Sequence, residues 1–399
     1  MLSPAAPDTK SVPPAPAVLP ALIAMTALQM LVACAMFAPG VMAPRLGLDA
    51  STLGLYTTTT CVVAMVTTFA GGMLASRYGG FRVASVCAVA VLCATAVATA
   101  AGASALLIVA GVILGLAYGP ETPASSSVLF RVTPPAQRPL IFSLRQTGNQ
   151  SGAMIGSLTL PWLAAIDPAY GYAAIMVAAI VALIAFERLR PTYDPLVRGA
   201  ALTISLRDAL AVLWDSRELR RLAIVSIPFS ALQISLNAFL VTYAVGALGL
   251  SLVAAGLMLA TAQCGGLAGR IAFGLVATRY VAPWITLAAL GFGMSACGLL
   301  MPLTGPAWPW AVLLLVAFVF GLTASGWNGV FLAEVARLAP EGRVAEATGA
   351  VLVFGFSGLV LGPLLVAATA NAVGLGASYA ILGAATLAGT MILIASRHR

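Results

Sequence analysis

The chain has 399 residues, 61% of them hydrophobic and 8% charged, with a mean hydropathy of +1.03. So few charges cannot coat a water-facing surface of this size, which excludes a soluble globular protein. The formal charge of +8 does not indicate nucleic-acid binding, because the arginines sit in short segments between apolar runs and form no basic face with interleaved aromatics.

Residues 1–19 are rich in Pro and Ala and predict a disordered tail. The tail lacks the basic start of a signal peptide, and the apolar run after it is too long for a cleaved signal, so that run is read as a retained first helix. From there, apolar spans broken at Gly, Pro and charge clusters predict twelve helices: 20–42, 52–75, 83–100, 105–130, 140–165, 170–187, 221–245, 252–276, 284–303, 309–336, 344–370 and 377–396. Each is about the length needed to cross roughly 30 Å of hydrocarbon. The polar interval 188–220, with Arg188, Arg190, Arg198, Arg207, Arg217 and Arg220, is read as a cytoplasmic linker between two six-helix units, 20–187 and 221–396, and 397–399 as a short cytoplasmic tail. If both termini are cytoplasmic, every Lys and Arg except Arg45, Arg145 and Arg270 falls on that side or its boundary, as the positive-inside bias requires. The six cysteines lie in or beside apolar spans without metal-ligand spacing and read as apolar fillers.

The two units share sequence. Residues 72–78 read GMLASRY, and 202 positions later residues 274–280 read GLVATRY. Gly115, Leu116, Arg131 and Pro134 recur 206 positions on as Gly321, Leu322, Arg337 and Pro340. Two matches near half the chain length indicate a duplicated helical unit, the arrangement from which many transporters build a central site.

Twelve helices, a mid-chain linker and this repeat together resemble the major facilitator superfamily. The stretch Gly72-Met-Leu-Ala-Ser-Arg77-Tyr-Gly79-Gly-Phe-Arg82 resembles the family's loop between helices 2 and 3, usually G-x-L-A-D-R-x-G-R-R, and Gly274 to Arg279 is its echo between helices 8 and 9. The resemblance implies an all-α membrane fold and gives Gly72, Arg77, Gly79, Arg82, Gly274 and Arg279 a part in the conformational gate. It departs at Ser76 and Thr278, where the family carries the acid that helps latch the cytoplasmic side. The stretch Gly269-Arg270-Ile-Ala-Phe-Gly274 is similar to helix 8 of members that carry monocarboxylates or oxalate, in which an Arg in this register binds the carboxylate. Helix 5 lacks the Gly-Pro centre of the family's antiporter motif.

An ionisable group inside a bilayer is costly, so position is the best guide to chemistry. Arg270 lies roughly 13 Å along its helix from Arg279, Arg145 roughly 10 Å from Arg138, and Glu121 roughly 15 Å from Arg131. The planar fork of Arg270 suits a carboxylate, although neighbouring carbonyls could take it instead. Arg145 opens the polar run Arg145-Gln-Thr-Gly-Asn-Gln-Ser-Gly152 and is read either as a second substrate contact or as an ion-pair partner of Glu121. Glu121, between Pro120 and Pro123, is the candidate proton carrier, its alternative being a permanent pair with Arg145. Gln29, Gln233, Asn237, Gln263 and Asn328 sit near span centres and either line the substrate pocket or bond helix to helix. Gly148, Gly152 and Gly156 form a small-residue stripe that admits a close neighbour. Glu334 is three residues from Arg337 and predicts a local pair.

The chain contains no phosphate-cradling Gly-x-x-x-x-Gly-Lys-Ser/Thr loop, one Lys (Lys10) and one His (His398), so no enzyme constellation, metal site or cofactor is expected. The combined expectation is a monomeric secondary transporter that moves a small organic anion, a carboxylate, across a bacterial inner membrane by alternating access with proton symport. The alternative is a proton-coupled exporter of drugs or metabolites on the same fold.

Overall fold

The computed structural model describes residues 17–100, 104–194, 211, 213–340 and 343–395, and the regular structure among them is entirely helical. The first unit comprises α1 Val18–Leu46, α2 Ala50–Tyr78, α3 Gly80–Thr99, α4 Ser104–Val132, α5 Arg138–Ile166 and α6 Pro168–Tyr193. The second comprises α7 Arg217–Gly246, α8 Leu252–Arg279, α9 Pro283–Leu300, α10 Trp310–Leu338 and the stretch Val344–Ala395. That last stretch folds back at Gly374 (φ 83°), a backbone conformation that only Gly adopts freely, and so forms α11 (344–373) and α12 (375–395). Thr369 and Ser378 hydroxyls meet at 2.7 Å across the turn. Of the predicted tails, residues 1–16 and 397–399 lie outside the described residues, as do 195–210 and 212 of the predicted linker.

The helices outrun the predicted spans at the charged ends. The predicted linker began at 188, yet α6 continues to Tyr193, carrying Arg188 and Arg190 on helix with Arg190 paired to Glu187 one turn back. At its other end, 217–220 already belong to α7, whose first turn is capped by Ser216 Oγ accepting from Leu219 N. Charged side chains at a membrane surface are solvated, so loss of apolar sequence does not end the helix there; capping chemistry does. Asp49 Oδ1 accepts from Thr52 N (3.0 Å) at the start of α2, and Asp167 from Ala169 N (2.8 Å) at the start of α6. At the end of α5, Arg45 donates to Ala164 and Ala165 carbonyls (3.2 and 3.0 Å), which satisfies acceptors the helix leaves open.

Among the described residues, nine helices are long and apolar enough to cross a membrane, with 344–395 counted once, and a tenth if the 51° bend in α2 is taken as one span. α5 falls outside that set because its first half holds Arg145 to Ser151. It belongs in the bundle because Arg145 and Gln150 are buried within it and Gln146 is met by Gln29 of α1 and Arg270 of α8.

Corresponding helices pair alike in both units: α1 on α5 and α7 on α11, α2 on α4 and α8 on α10, α3 on α6 and α9 on α12. The glycine stripe of α5 packs on α1, with Gly148 against Thr26 and Gln29, Gly152 against Met30, and Gly156 against Cys34. Gly358 and Gly362, 206 positions after Gly152 and Gly156, pack against Ile227 and Ala231 of α7. The repeat in sequence is therefore a repeat in packing.

The units meet at the end of the bundle remote from the chain termini and along its middle. Ser51 of α2 donates to Ala367 O (3.3 Å) and accepts from Asn371 Nδ2 (2.9 Å), and Thr58 donates to Val360 O (3.3 Å). Gly40 of α1 abuts Ala238 of α7, and Gly256 of α8 abuts Ser157 and Pro161 of α5. Nearer the termini, Gly72 of α2, Gly274 of α8 and Gly349 of α11 all face open space.

Candidate functional site

The charged centre of the first unit is built by the prolines of α4. Pro123 has no N–H, so the carbonyl of Gly119 loses its helical donor; Thr68 Oγ1 of α2 supplies one at 3.1 Å. Pro120 and Pro123 pack onto Gly71 of α2, which holds the segment between them in place. Glu121, 3% exposed, is thereby aimed at α5, where Arg145 is 0% exposed. Arg145 Nη1 lies 3.5 Å from Glu121 Oε1, and its Nη2 donates to Thr122 Oγ1 at 3.2 Å. Thr122 donates in turn to Glu121 Oε2 (2.7 Å), which closes a ring of three side chains. Of the two readings of Arg145, this geometry gives the pair with Glu121. Arg145 Nε is buried with no hydrogen-bond partner among the described residues.

Arg270 of α8 is differently placed. Its Nη1 donates across the unit boundary to the backbone carbonyl of Gln146 in α5 at 3.4 Å, and its Nε is buried without a partner among the described residues. Arg145, Arg190 and Arg337 pair with Glu121, Glu187 and Glu334, and among the described residues no carboxylate lies in ion-pair contact with Arg270. The residue is half-buried at the seam between α5 and α8.

The polar candidates form three inter-helix groups. Gln29 Nε2 donates to Gln146 Oε1 (3.2 Å), joining α1 to α5. Gln263 Nε2 donates to Asn237 Oδ1 (2.5 Å), joining α8 to α7. Trp327 Nε1 and Asn328 Nδ2 of α10 both donate to Gln233 Oε1 of α7, at 3.2 and 3.3 Å. Sequence reasoning singled out neither Thr122 nor Gln146 as site residues, although both lie inside the runs it quoted around Glu121 and Arg145.

At the terminal end, α2 closes with Arg77 stacked 5.3 Å from the Tyr78 ring, and the chain turns at Gly79 (φ 100°) into α3. A side chain at Gly79 would occupy the place of the Asp194 carboxylate. Asp194, just past α6, accepts from Phe81 N (3.0 Å) and Arg82 N (2.9 Å) and so caps α3 from outside. Burial pushes its carboxyl above the usual range, against those two N–H donors and the nearby Arg131 and Arg190, which pull it down. Ser76, at the acid position of the family motif, donates to its own helix at Met73 O (2.8 Å). An acid does serve this turn, contributed by α6. Arg82 is exposed, and Arg279 is likewise exposed in the last turn of α8. In α10, Arg337 grips the fully buried Glu334 through two hydrogen bonds of 2.8 and 2.7 Å, the local pair that their spacing predicts.

Three comparisons bear on this arrangement. The family model described as Major Facilitator Superfamily matches residues 21–363. Comparison with curated proteins gives no match. Among solved structures, a variant of the nucleoside transporter NupG superposes with a TM-score of 0.77 at 15% identity, covering 94% of this chain and 100% of that one. The peptide transporter POT in complex with sulfate superposes at 0.73 with 18% identity, covering 95% of this chain and 94% of that one. At such identities these two show the fold alone. With its doubled six-helix units and a family match over most of its length, the chain belongs to the Major Facilitator Superfamily and is a membrane transporter, not an enzyme.

Proposed function

We propose that this transporter carries a small organic anion, a carboxylate, and that it does so by proton-coupled uptake through alternating access. The observation that carries the reading is the Arg270 guanidinium at the seam between the units, with one Nη on a carbonyl and, among the described residues, neither a carboxylate beside it nor a partner for its Nε. A cation so placed is costly without a counter-charge, and a carboxylate docking on its fork removes that cost. Glu121 loads a proton when Arg145 is drawn away and releases it when the pair re-forms, so the ion pair switches with the state of the bundle. An exporter of organic cations needs a cavity acid free of a cation, and Glu121 is engaged by Arg145. The termini face the cytoplasm of a bacterial inner membrane, and one chain holds the whole site.

The test is uptake of labelled short carboxylates into proteoliposomes under an imposed inward proton gradient. The reading expects accumulation that collapses when the gradient is dissipated and is lost in Arg270→Gln. Full accumulation by Arg270→Gln would remove the anion assignment.

A further inference from the structure

Gln150 is 2% exposed, and neither its Nε2 nor its Oε1 has a hydrogen-bond partner among the described residues. It lies on the face of α5 that meets α8. Gln146, Gln150 and Met154 follow one another at intervals of four, which places them in one row along the helix. Gln146 O receives Arg270 Nη1, and Met154 Sδ receives Cys264 Sγ at 3.3 Å. One turn beyond, Ser157 packs against Gly256 of α8. Gln150 therefore stands between two contacts that bridge the units, one turn or roughly 6 Å along the axis from the carbonyl that holds Arg270.

A buried amide without partners is expensive, because its donor and its acceptor have both left water. The other glutamines in the central groups each have a protein partner: Gln29 donates to Gln146 while its own Oε1 stays unmatched, Gln263 donates to Asn237, and Gln233 accepts from Trp327 and Asn328. Among the buried glutamines of the described residues, Gln150 is the one whose donor and acceptor are both unmatched, one turn from the backbone carbonyl that receives Arg270. Their chemical complement is a group that also offers both, above all a primary carboxamide, which closes two hydrogen bonds with a glutamine side chain.

From this we infer that Gln150 is a specificity-determining residue and that the substrate pairs its carboxylate with a neutral donor–acceptor group, a carboxamide, at the other end. The inference rests on the anion reading of Arg270 and adds the second point of recognition. A site with an unpaired buried amide rejects an apolar isostere, since that ligand leaves both polar atoms stranded.

The probes are succinamate and its shape-matched apolar isostere 4-methylpentanoate, titrated into the purified full-length protein by calorimetry. The wild type is expected to prefer succinamate by at least about tenfold, the smallest effect of a stranded amide. Gln150→Leu and the flexible Gln150→Met are expected to erase that preference while still binding 4-methylpentanoate. Equal affinity of the wild type for both acids overturns the role of Gln150 and leaves the anion reading standing. A preference that persists in both variants places the selectivity elsewhere and also overturns it. If neither acid binds the wild type, or Arg270→Gln binds both as the wild type does, the anion reading fails and the inference with it.

Discussion

Glu121 and Arg145 meet at 3.5 Å from adjacent helices of one unit, with side chains only 4% and 1% exposed. Removing one partner of such a pair leaves a charge stranded without water or counter-ion, whereas removing both does not. Arg145→Met is therefore expected to cost about 3–5 kcal/mol. The double change Glu121→Gln with Arg145→Met should recover most of that loss. Melting of Arg145→Met, Glu121→Gln and the double variant in detergent checks this; additive losses in the double variant would contradict a coupled pair.

Coupling is tested at the same residue. In Glu121→Gln the carboxylate that loads the proton is gone while Thr122 keeps an oxygen to donate to. Uptake driven by a pH gradient should disappear, and gradient-free exchange of internal for external substrate should continue. Gradient-driven accumulation by this variant would place the proton elsewhere.

Asp194 makes a pH-dependent contribution whose sign follows from its raised pKa. A carboxyl that holds its proton more tightly in the folded state adds stability below its unfolded value of about 3.9. That contribution is lost as pH rises through the folded value. The melting temperature of the wild type should thus lose an increment on going from acid toward neutral pH, and Asp194→Asn should flatten that limb. An unchanged limb would show that the carboxyl is not perturbed. Asp194→Ala also strips two N–H groups of α3 of their acceptor and should cost about 1 kcal/mol at neutral pH.

Two glycines should respond in opposite ways to the same change. A methyl at Gly152 would drive into Met30 of α1, and Gly152→Ala is expected to cost about 1–3 kcal/mol. A methyl at Gly72 meets nothing within 4 Å, so Gly72→Ala should be neutral or gain up to about 1 kcal/mol. Gly72 belongs to the proposed gate, where α2 must close on the opposite unit in the other state, so the same variant should transport more slowly. Paired melting and transport measurements separate the two effects.

The apolar spans were legible because hydrocarbon thickness dictates their length, and the fold-back between α11 and α12 showed at the break before residue 377. The ends of α6 and α7 were not, because the charges that mark a membrane surface do not stop a helix. The sequence named Glu121 and Arg145 but left their relation open, since helix rotation decides whether two charges face each other or a cavity. The hydrogen bonds of Gln29, Gln233, Asn237, Gln263 and Asn328 were out of reach for the same reason: a polar residue at a span centre looks alike whether its partner is a helix or a ligand. Asp194 stayed hidden because its targets, Phe81 and Arg82, are brought to it only by the packing of α3 on α6.

The central claim is that Arg270 makes the seam selective for negative charge. Its most direct measurement is the affinity of the purified protein for a short carboxylate and for the corresponding neutral primary amide, in the wild type and in Arg270→Gln. The account predicts that the wild type binds the carboxylate at least about tenfold more tightly, and that Arg270→Gln loses this difference. Equal affinities in the wild type, or an undiminished preference in Arg270→Gln, would contradict it.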